Sequence, residues 1–127
     1  MQRRLVISLL VMGLVWSAHG VALAQAPSPA EAQAIWDGFW ARVLAGDLRG
    51  AYRYVHSSRL GFPLQRPVEQ LQEMARQMRY CRLRPDPLPI SGEDVLFEVH
   101  CEHAGEKADM LVGFRQDSDG AWRLTVI

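Results

Sequence analysis

The stretch LAGDLRGAYRYVH, residues 44–56, contains a helix-to-helix corner and decides the fold. Gly46 can adopt the left-handed conformation that satisfies the last carbonyl groups of a preceding helix. Asp47 follows at once and is a favoured N-cap, because its carboxylate accepts hydrogen bonds from the first free amides of the next helix. The sequence therefore predicts that one helix stops at Gly46 and that a second runs from about Leu48 to His56.

Two further helices flank this corner. Upstream, Ser28 is a predicted N-cap, Pro29 suits the first turn, and Glu31 lies where a capping-box acid reaches back. Apolar residues then recur at helical spacing, and they are Ile35, Trp36, Phe39, Trp40, Val43 and Leu44. Downstream, Pro67 opens a predicted third helix that extends to about Met78.

From Tyr80 onward the pattern changes from helical to alternating, which predicts strands. The predicted strands cover residues 80–84, 95–103, 107–116 and 121–127, and PDPLPISGED, residues 85–94, is a predicted connection. In the second strand Phe97, Val99 and Cys101 face inward. Leu96, Glu98, His100 and Glu102 face outward. We predict an α+β fold in which three N-terminal helices cover a curved antiparallel sheet, with sequence neighbours paired.

Residues 1–26 have the pattern of a secretory signal peptide. Two arginines at positions 3 and 4 form a basic start. The apolar run at residues 5–16 is shorter than the roughly 20 residues that span a bilayer. Small residues ending at Ala26 form a cleavage site. We expect cleavage after Ala26, with Ala24 as the second choice and an uncleaved N-terminal anchor as the alternative. Cleavage predicts a periplasmic or secreted location without a stable membrane span, and one domain over residues 27–127.

The balance of basic and acidic residues argues against nucleic acid as a partner. The chain has 14 Lys and Arg residues and 14 Asp and Glu residues. Removal of the signal peptide takes away two arginines and leaves 12 basic against 14 acidic residues. A slightly acidic domain is not expected to bind nucleic acid.

Cys81 and Cys101 are the two cysteines of the chain. Both are predicted to point inward on strands that pair, and an oxidising compartment favours a disulfide. Cys81, Cys101 and His103 share a face and could instead bind zinc or copper, whereas His100 and His103 point to opposite faces. Two buried free thiols are a third alternative. We favour the disulfide and predict no metal site.

The corner AGDLRGAYRYV (residues 45–55), the second aromatic-bearing helix and the closing segment DGAWRLTVI (residues 119–127) resemble the nuclear transport factor 2-like superfamily. That group includes the ketosteroid-isomerase-like and SnoaL-like proteins. The resemblance covers essentially all of residues 27–127. It implies a cone-shaped α+β roll, in which the sheet wraps around the helices and leaves a pocket that holds a catalytic base, a ligand or only packed side chains.

The resemblance places six inward aromatic residues around this pocket. They are Trp36, Trp40, Tyr52, Phe97, Phe114 and Trp122. None of the inward residues is a carboxylate like the base of ketosteroid-isomerase-like catalysis, so no catalytic residue and no cofactor is predicted. We expect an exported, non-catalytic domain that binds a small apolar ligand or a protein partner. The alternative is a small isomerase or cyclase with a pocket carboxylate.

Three other features of the sequence bear on partners and on chemistry. Leu96, Leu111 and Ile127 fall on the outer sheet face and predict a homodimer. A basic strip for an anionic partner could form from Arg76, Arg79, Arg82 and Arg84, but a solvated rim is the favoured interpretation. The run His56-Ser57-Ser58 lacks the G-x-S-x-G elbow of a nucleophilic serine, so no hydrolytic triad is predicted there.

Overall fold

A computed structural model describes residues 26–59, 65–88 and 92–126 of the chain. The predicted signal peptide therefore lies outside the described residues, apart from Ala26. The elements follow one another as helices α1 (Pro29–Leu44) and α2 (Leu48–Tyr52), a 3-10 turn (Ser57–Arg59), helix α3 (Val68–Met78), and strands β1 (Cys81–Leu88), β2 (Val95–His103), β3 (Glu106–Gln116) and β4 (Trp122–Val126). The predicted α+β class, with three helices and four strands, is confirmed.

The predicted corner between α1 and α2 is present. Gly46 has a φ of +76°, and its amide donates to the carbonyl of Val43 while the amide of Asp47 donates to that of Arg42. This pair of bonds is the Schellman motif that ends a helix at a left-handed residue. Asp47 then caps α2, because its Oδ1 accepts from the amide of Gly50 at 2.9 Å.

Helix α2 is shorter than predicted. It ends at Tyr52 rather than near His56, because the following residues pair with the last strand. The amide of Leu124 donates to the carbonyl of Tyr54 at 2.7 Å, and the amide of His56 donates to the carbonyl of Leu124 at 2.8 Å. Val55 thus forms a parallel bridge to Leu124. The apolar spacing of so short a segment predicts a helix and gives no sign of this distant pairing.

The four strands form one open antiparallel sheet in the order β1-β2-β3-β4, as predicted from sequence neighbours. The predicted alternation in β2 is observed: Phe97 and Val99 are fully buried, while Glu98 and Glu102 keep 41% and 55% of their side chains exposed. Helix α1 packs on α2, α3 and β1. The helices therefore cover the inner face of the sheet, and the outer face carries the charged residues.

Strand β1 continues to Leu88, through residues that were predicted to be a connection. It is an edge strand, where proline is tolerated because no partner needs its amide. The register slips between Leu83 and Pro87. Along the free edge, the amide of Leu83 donates to Oε1 of Gln33 on α1 at 3.0 Å, and Pro85 and Pro87 have no N–H to offer.

Candidate functional site

Four of the six predicted pocket residues lie in the hydrophobic core. Trp36 and Trp40 meet edge to face at 5.7 Å between ring centroids. Phe97 and Phe114 do the same at 5.5 Å across β2 and β3. All four are buried. The structure therefore packs these aromatic rings against one another inside the fold, where they hold the helices to the sheet.

The other two predicted pocket residues are only partly buried. Tyr52 packs against the edge of the core. Trp122 also touches the core, but it lines a separate surface cleft of about 490 Å³ together with His56, Val95 and Arg115. The predicted set is thus divided between the core and this cleft. Arg115 in the cleft is held by Asp94 at 2.7 Å.

A different, more apolar groove lies on the inner face of the sheet beyond the core. We call it the disulfide groove, and its volume is about 410 Å³. Its apolar floor consists of Met78, Cys81, Cys101, Ala108 and Met110. Its polar rim consists of Gln77, Tyr80, Glu102, His103, Glu106 and Lys107.

The register of β2 and β3 explains why the floor residues of the disulfide groove lie side by side. Cys101 faces Ala108, and Val99 faces Met110, across β2 and β3. These positions continue the inner face from the buried Phe97 and Val99, since residues two apart share a face. Met78 is the last residue of α3, so the helix ends above this part of the sheet. The groove is the section of the inner face that α1 leaves uncovered.

The predicted disulfide between Cys81 and Cys101 is confirmed. The S–S distance is 2.04 Å, and the two residues face each other across β1 and β2. The amide of Glu102 donates to the carbonyl of Tyr80 at 3.2 Å, which identifies Cys81 and Cys101 as a non-hydrogen-bonded pair. Such pairs bring the Cα atoms closest, here to 4.0 Å. The bonded sulfur atoms are not the thiolates that the metal alternative requires.

An aromatic stack closes one end of the disulfide groove. The rings of Tyr80 and His103 lie 3.8 Å apart and nearly parallel, and the guanidinium of Arg79 lies 4.8 Å from the centroid of the Tyr80 ring. Alternation in the predicted strand of residues 80–84 would turn Tyr80 to the face opposite Cys81. It comes just before β1 in a turn, so the alternation of the strand does not extend to it.

Outside the groove, His56, Ser57, Ser58 and Asp117 form a hydrogen-bonded cluster that the sequence did not reveal. Nδ1 of His56 lies 2.8 Å from Oγ of Ser58 and accepts from the amide of Ser58 at 3.1 Å. Asp117 accepts from the amide and the hydroxyl of Ser57 at 3.2 and 2.9 Å. Each bond ends on the first residues of the 3-10 turn, so the cluster caps that turn. No sequence signal links positions 57 and 117, which lie 60 residues apart.

Arg123 contacts two carboxylates at this cluster, and both carboxylates have low pKa values. Arg123 contacts Asp117 at 3.1 Å and Asp119 at 2.7 Å. Burial alone raises the pKa of Asp117, but hydrogen bonds from Ser57 and Ser118 outweigh it and lower the pKa to about 2. The hydrogen bonds from Arg123 lower the pKa of Asp119 to about 2 as well. Both carboxylates are therefore charged at neutral pH and hold β4 to its neighbouring turn.

The outer sheet face carries an ion-pair network. Arg84 contacts Glu98 at 3.4 Å and Asp109 at 3.8 Å, and Asp109 contacts Nδ1 of His100 at 2.9 Å. Of the predicted dimer residues, Leu111 is 45% exposed here, Leu96 is half-buried, and Ile127 lies outside the described residues. The homodimer stays a prediction.

Of the four arginines of the predicted strip, Arg76 lies in α3, Arg79 lies in the turn that follows it, and Arg82 and Arg84 lie in β1. Arg76 pairs with Glu73 within α3 at 3.0 Å, whereas Arg84 belongs to the outer-face network on β1. The structure therefore does not bring these arginines together around a single partner site, in line with the solvated-rim interpretation.

Comparisons of the chain with protein-family models, with curated proteins and with solved structures gave no match. The resemblance to the nuclear transport factor 2-like superfamily therefore rests on the sequence alone. None of the helices in residues 26–59, 65–88 and 92–126 has both the length and the apolarity that crossing a bilayer requires.

Proposed function

We propose that this protein is an exported, non-catalytic domain of the nuclear transport factor 2-like type that binds a small apolar ligand in the disulfide groove. The observation that carries the proposal is the apolar floor formed by Met78, Met110 and the Cys81–Cys101 disulfide on an otherwise covered sheet face. Four predicted pocket aromatics are packed in the core, so the groove is a more apolar part of the inner face that remains open to a ligand.

Size and chemistry of the groove both suit a small apolar ligand. A volume of about 410 Å³ falls in the range of ligand pockets, which is roughly 300–1,000 Å³. The two methionine side chains are flexible and polarizable, so they adapt to ligands of different shape. The stacked rings of Tyr80 and His103 add a flat surface against which a planar ligand can pack.

The polar rim would orient the ligand. Glu102 and Lys107 face each other on the outer side of the sheet at the end of the β2–β3 hairpin, whereas His103 and Glu106 face each other on the side of the groove. These side chains stay in water, where they can hydrogen-bond a polar end while the apolar part enters the groove. The rim carboxylates Glu102 and Glu106 are exposed and Tyr52 does not line the groove, so the arrangement gives the isomerase alternative no sheltered base.

Export is part of the proposal. It rests on the signal-peptide pattern of residues 1–26, and the disulfide supports it because structural disulfides persist in oxidising compartments. Sequencing the N-terminus of the protein purified from its own cells tests it. A mature chain that begins at Pro27 is expected, and an intact Met1 in the purified protein would contradict cleavage.

Ligand binding is tested with N-phenyl-1-naphthylamine, a neutral apolar dye whose fluorescence rises in an apolar site. The mature protein is expected to bind it saturably. Met110→Glu should weaken binding at least tenfold by placing a carboxylate in the groove. Ala108→Glu should have a similar effect, and because Ala108 is exposed the substitution does not disturb the core.

The matched control is Leu111→Glu, which introduces the same charge at the adjacent residue of β3 but on the opposite face of the sheet. It is expected to bind the dye within twofold of the unsubstituted protein. Circular dichroism establishes that each variant is folded. Absence of saturable binding, or equal loss in Leu111→Glu and Ala108→Glu, would contradict the proposed site.

A further inference from the structure

A second cleft lies at the α1–α2 corner, away from the disulfide groove. We call it the arginine cleft. It is lined by Arg42, Arg49 and Arg53, and also by Asp47, Gly50 and Tyr54. Its volume is about 200 Å³. Three guanidinium-bearing residues therefore surround a small concave space built by the stretch LRGAYRY.

The charges that line the arginine cleft do not balance. Asp47 is the one carboxylate among the lining residues, and both its oxygen atoms are already engaged. Oδ1 accepts from the amide of Gly50, and Oδ2 accepts from Arg42 at 3.2 Å. The lining thus has an excess of two positive charges. Because the whole chain has equal numbers of basic and acidic residues, the excess is local to this cleft.

Two glycines make room for the lining side chains. A β-carbon on Gly50 would clash with the carboxylate of Asp47 and lie 3.1 Å from Cδ of Arg42. A β-carbon on Gly38 would lie 2.6 Å from the hydroxyl oxygen of Tyr54. Neither glycine has a positive φ, so space rather than backbone conformation explains them. The side chains of Asp47, Arg42 and Tyr54 therefore occupy space that a β-carbon at these two positions would need.

We propose that the arginine cleft binds a tetrahedral oxyanion, either free phosphate or sulfate or the phosphate group of a larger molecule. Planar guanidinium groups donate pairs of hydrogen bonds that match the oxygen spacing of phosphate. The hydroxyl of Tyr54 can provide a further donor at the wall of the cleft. A bound dianion would neutralise the two excess charges. This inference is independent of the ligand proposed for the disulfide groove.

Isothermal titration of the mature protein with inorganic phosphate, at a constant ionic strength of about 0.15 M, tests the inference. Constant ionic strength is needed because exposed charges are screened beyond a distance of about 8 Å. Arg49→Gln and Arg53→Gln are each expected to weaken binding about tenfold, since each removes charge-assisted hydrogen bonds. Arg42 is left intact because it contacts Asp47.

The control is Arg82→Gln, which removes the same charge from an exposed residue of β1 and should leave phosphate binding unchanged. A parallel arm measures co-sedimentation with vesicles that contain phosphatidylglycerol, compared with phosphatidylcholine alone. Phosphate binding that depends on Arg49 and Arg53 supports a free oxyanion. Vesicle binding with the same dependence, without phosphate binding, supports a lipid phosphate.

Two outcomes would overturn the inference. The first is binding to neither phosphate nor anionic vesicles. The second is binding that Arg82→Gln weakens as much as Arg49→Gln and Arg53→Gln do, because it would report overall positive charge rather than a cleft. Dye binding in the disulfide groove is measured on the same variants and is expected to be unchanged, so that failure of either site is recognised separately.

Discussion

The ring of Tyr54 fills the space beside Gly38. An ideal β-carbon at Gly38 would lie 2.6 Å from both Cζ and the hydroxyl oxygen of Tyr54, closer than real β-carbons approach their neighbours. Gly38 lies in the interior of helix α1, where glycine costs about 1 kcal/mol relative to alanine. Close packing against the segment after α2 offsets that cost.

Gly38→Ala should therefore destabilise the protein despite the better helix propensity of alanine. Forcing an extra methyl group into a packed contact costs about 1–3 kcal/mol, and most of that range exceeds the propensity gain of about 1 kcal/mol. Urea unfolding measures the difference in free energy. In a Tyr54→Ala background the same substitution should stabilise, because the ring is gone. A stabilising Gly38→Ala in the otherwise unsubstituted protein would show that the contact is not tight.

Reduction of the Cys81–Cys101 disulfide should lower the free energy of unfolding by about 3 kcal/mol. The two cysteines are 20 residues apart, and a cross-link of that span restricts the unfolded chain by about this amount. Urea unfolding with and without a phosphine reductant measures the effect. The Cys81→Ala/Cys101→Ala double variant is the control, since the reductant should not change its midpoint. A reductant effect on the double variant would assign the loss to another cause.

Acid should destabilise the β3–β4 turn in a defined pH range. Hydrogen bonds from Arg123 lower the pKa of Asp119 to about 2 from its ordinary value of 3.8. A group with a lowered folded-state pKa contributes stability above its unfolded pKa and loses it as the pH falls through the folded value. Its contribution should thus be complete at pH 5 and fade between pH 4 and pH 2.

Urea unfolding from pH 5 to pH 2 tests this dependence. Asp119→Asn is expected to be less stable than the unsubstituted protein at pH 5 and to lose less stability on acidification. Arg123→Gln should also flatten the profile, because it removes the partner that lowers the pKa. In Asp119→Asn the free energy of unfolding should still depend in part on pH, because Asp117 also has a pKa of about 2. Parallel profiles for all three proteins would contradict the assigned cause.

Thr125→Val should stabilise the protein. Thr125 is 3% exposed, and its hydroxyl is one of two buried side-chain polar atoms without a hydrogen-bond partner in the described part of the chain. Valine has nearly the same shape and removes the unpaired hydroxyl. We expect a gain of about 1 kcal/mol, which corresponds to a rise in Tm of about 4–8 °C for a domain of this size.

Thr125→Ser provides the matched comparison for that substitution. Serine keeps the hydroxyl and loses a buried methyl group, so it should lower the Tm. Differential scanning calorimetry measures both variants. A Tm for Thr125→Val at or below that of the unsubstituted protein would show that the hydroxyl makes a bond that the geometry does not reveal.

Local signals in the sequence predicted most of the fold. The capping residues Ser28 and Asp47 and the left-handed Gly46 act within one helical turn, and all three behave as predicted. The alternation in β2 succeeded for the same reason, because it depends on neighbours in sequence. The Cys81–Cys101 pair was predictable once the first two strands were expected to pair.

Non-local contacts account for what the sequence did not reveal. The end of α2 is set by Leu124, about 70 residues away, and no local pattern records that pairing. The same holds for the 3-10 turn capped by Asp117. The six predicted aromatic residues share an inward pattern, but periodicity cannot distinguish a ring packed in the core from one that lines an opening. The disulfide groove depends on where helix α3 ends above the sheet, and this position is a non-local feature that the sequence pattern does not contain.

The edge of β1 has a consequence for how copies of this chain can meet. Along this edge the amide of Leu83 is bonded to Gln33, and Pro85 and Pro87 have no N–H, so a second backbone finds few donors over residues 83–87. Stacking of molecules strand upon strand, the route by which many β-rich proteins form fibres, is therefore opposed on this side.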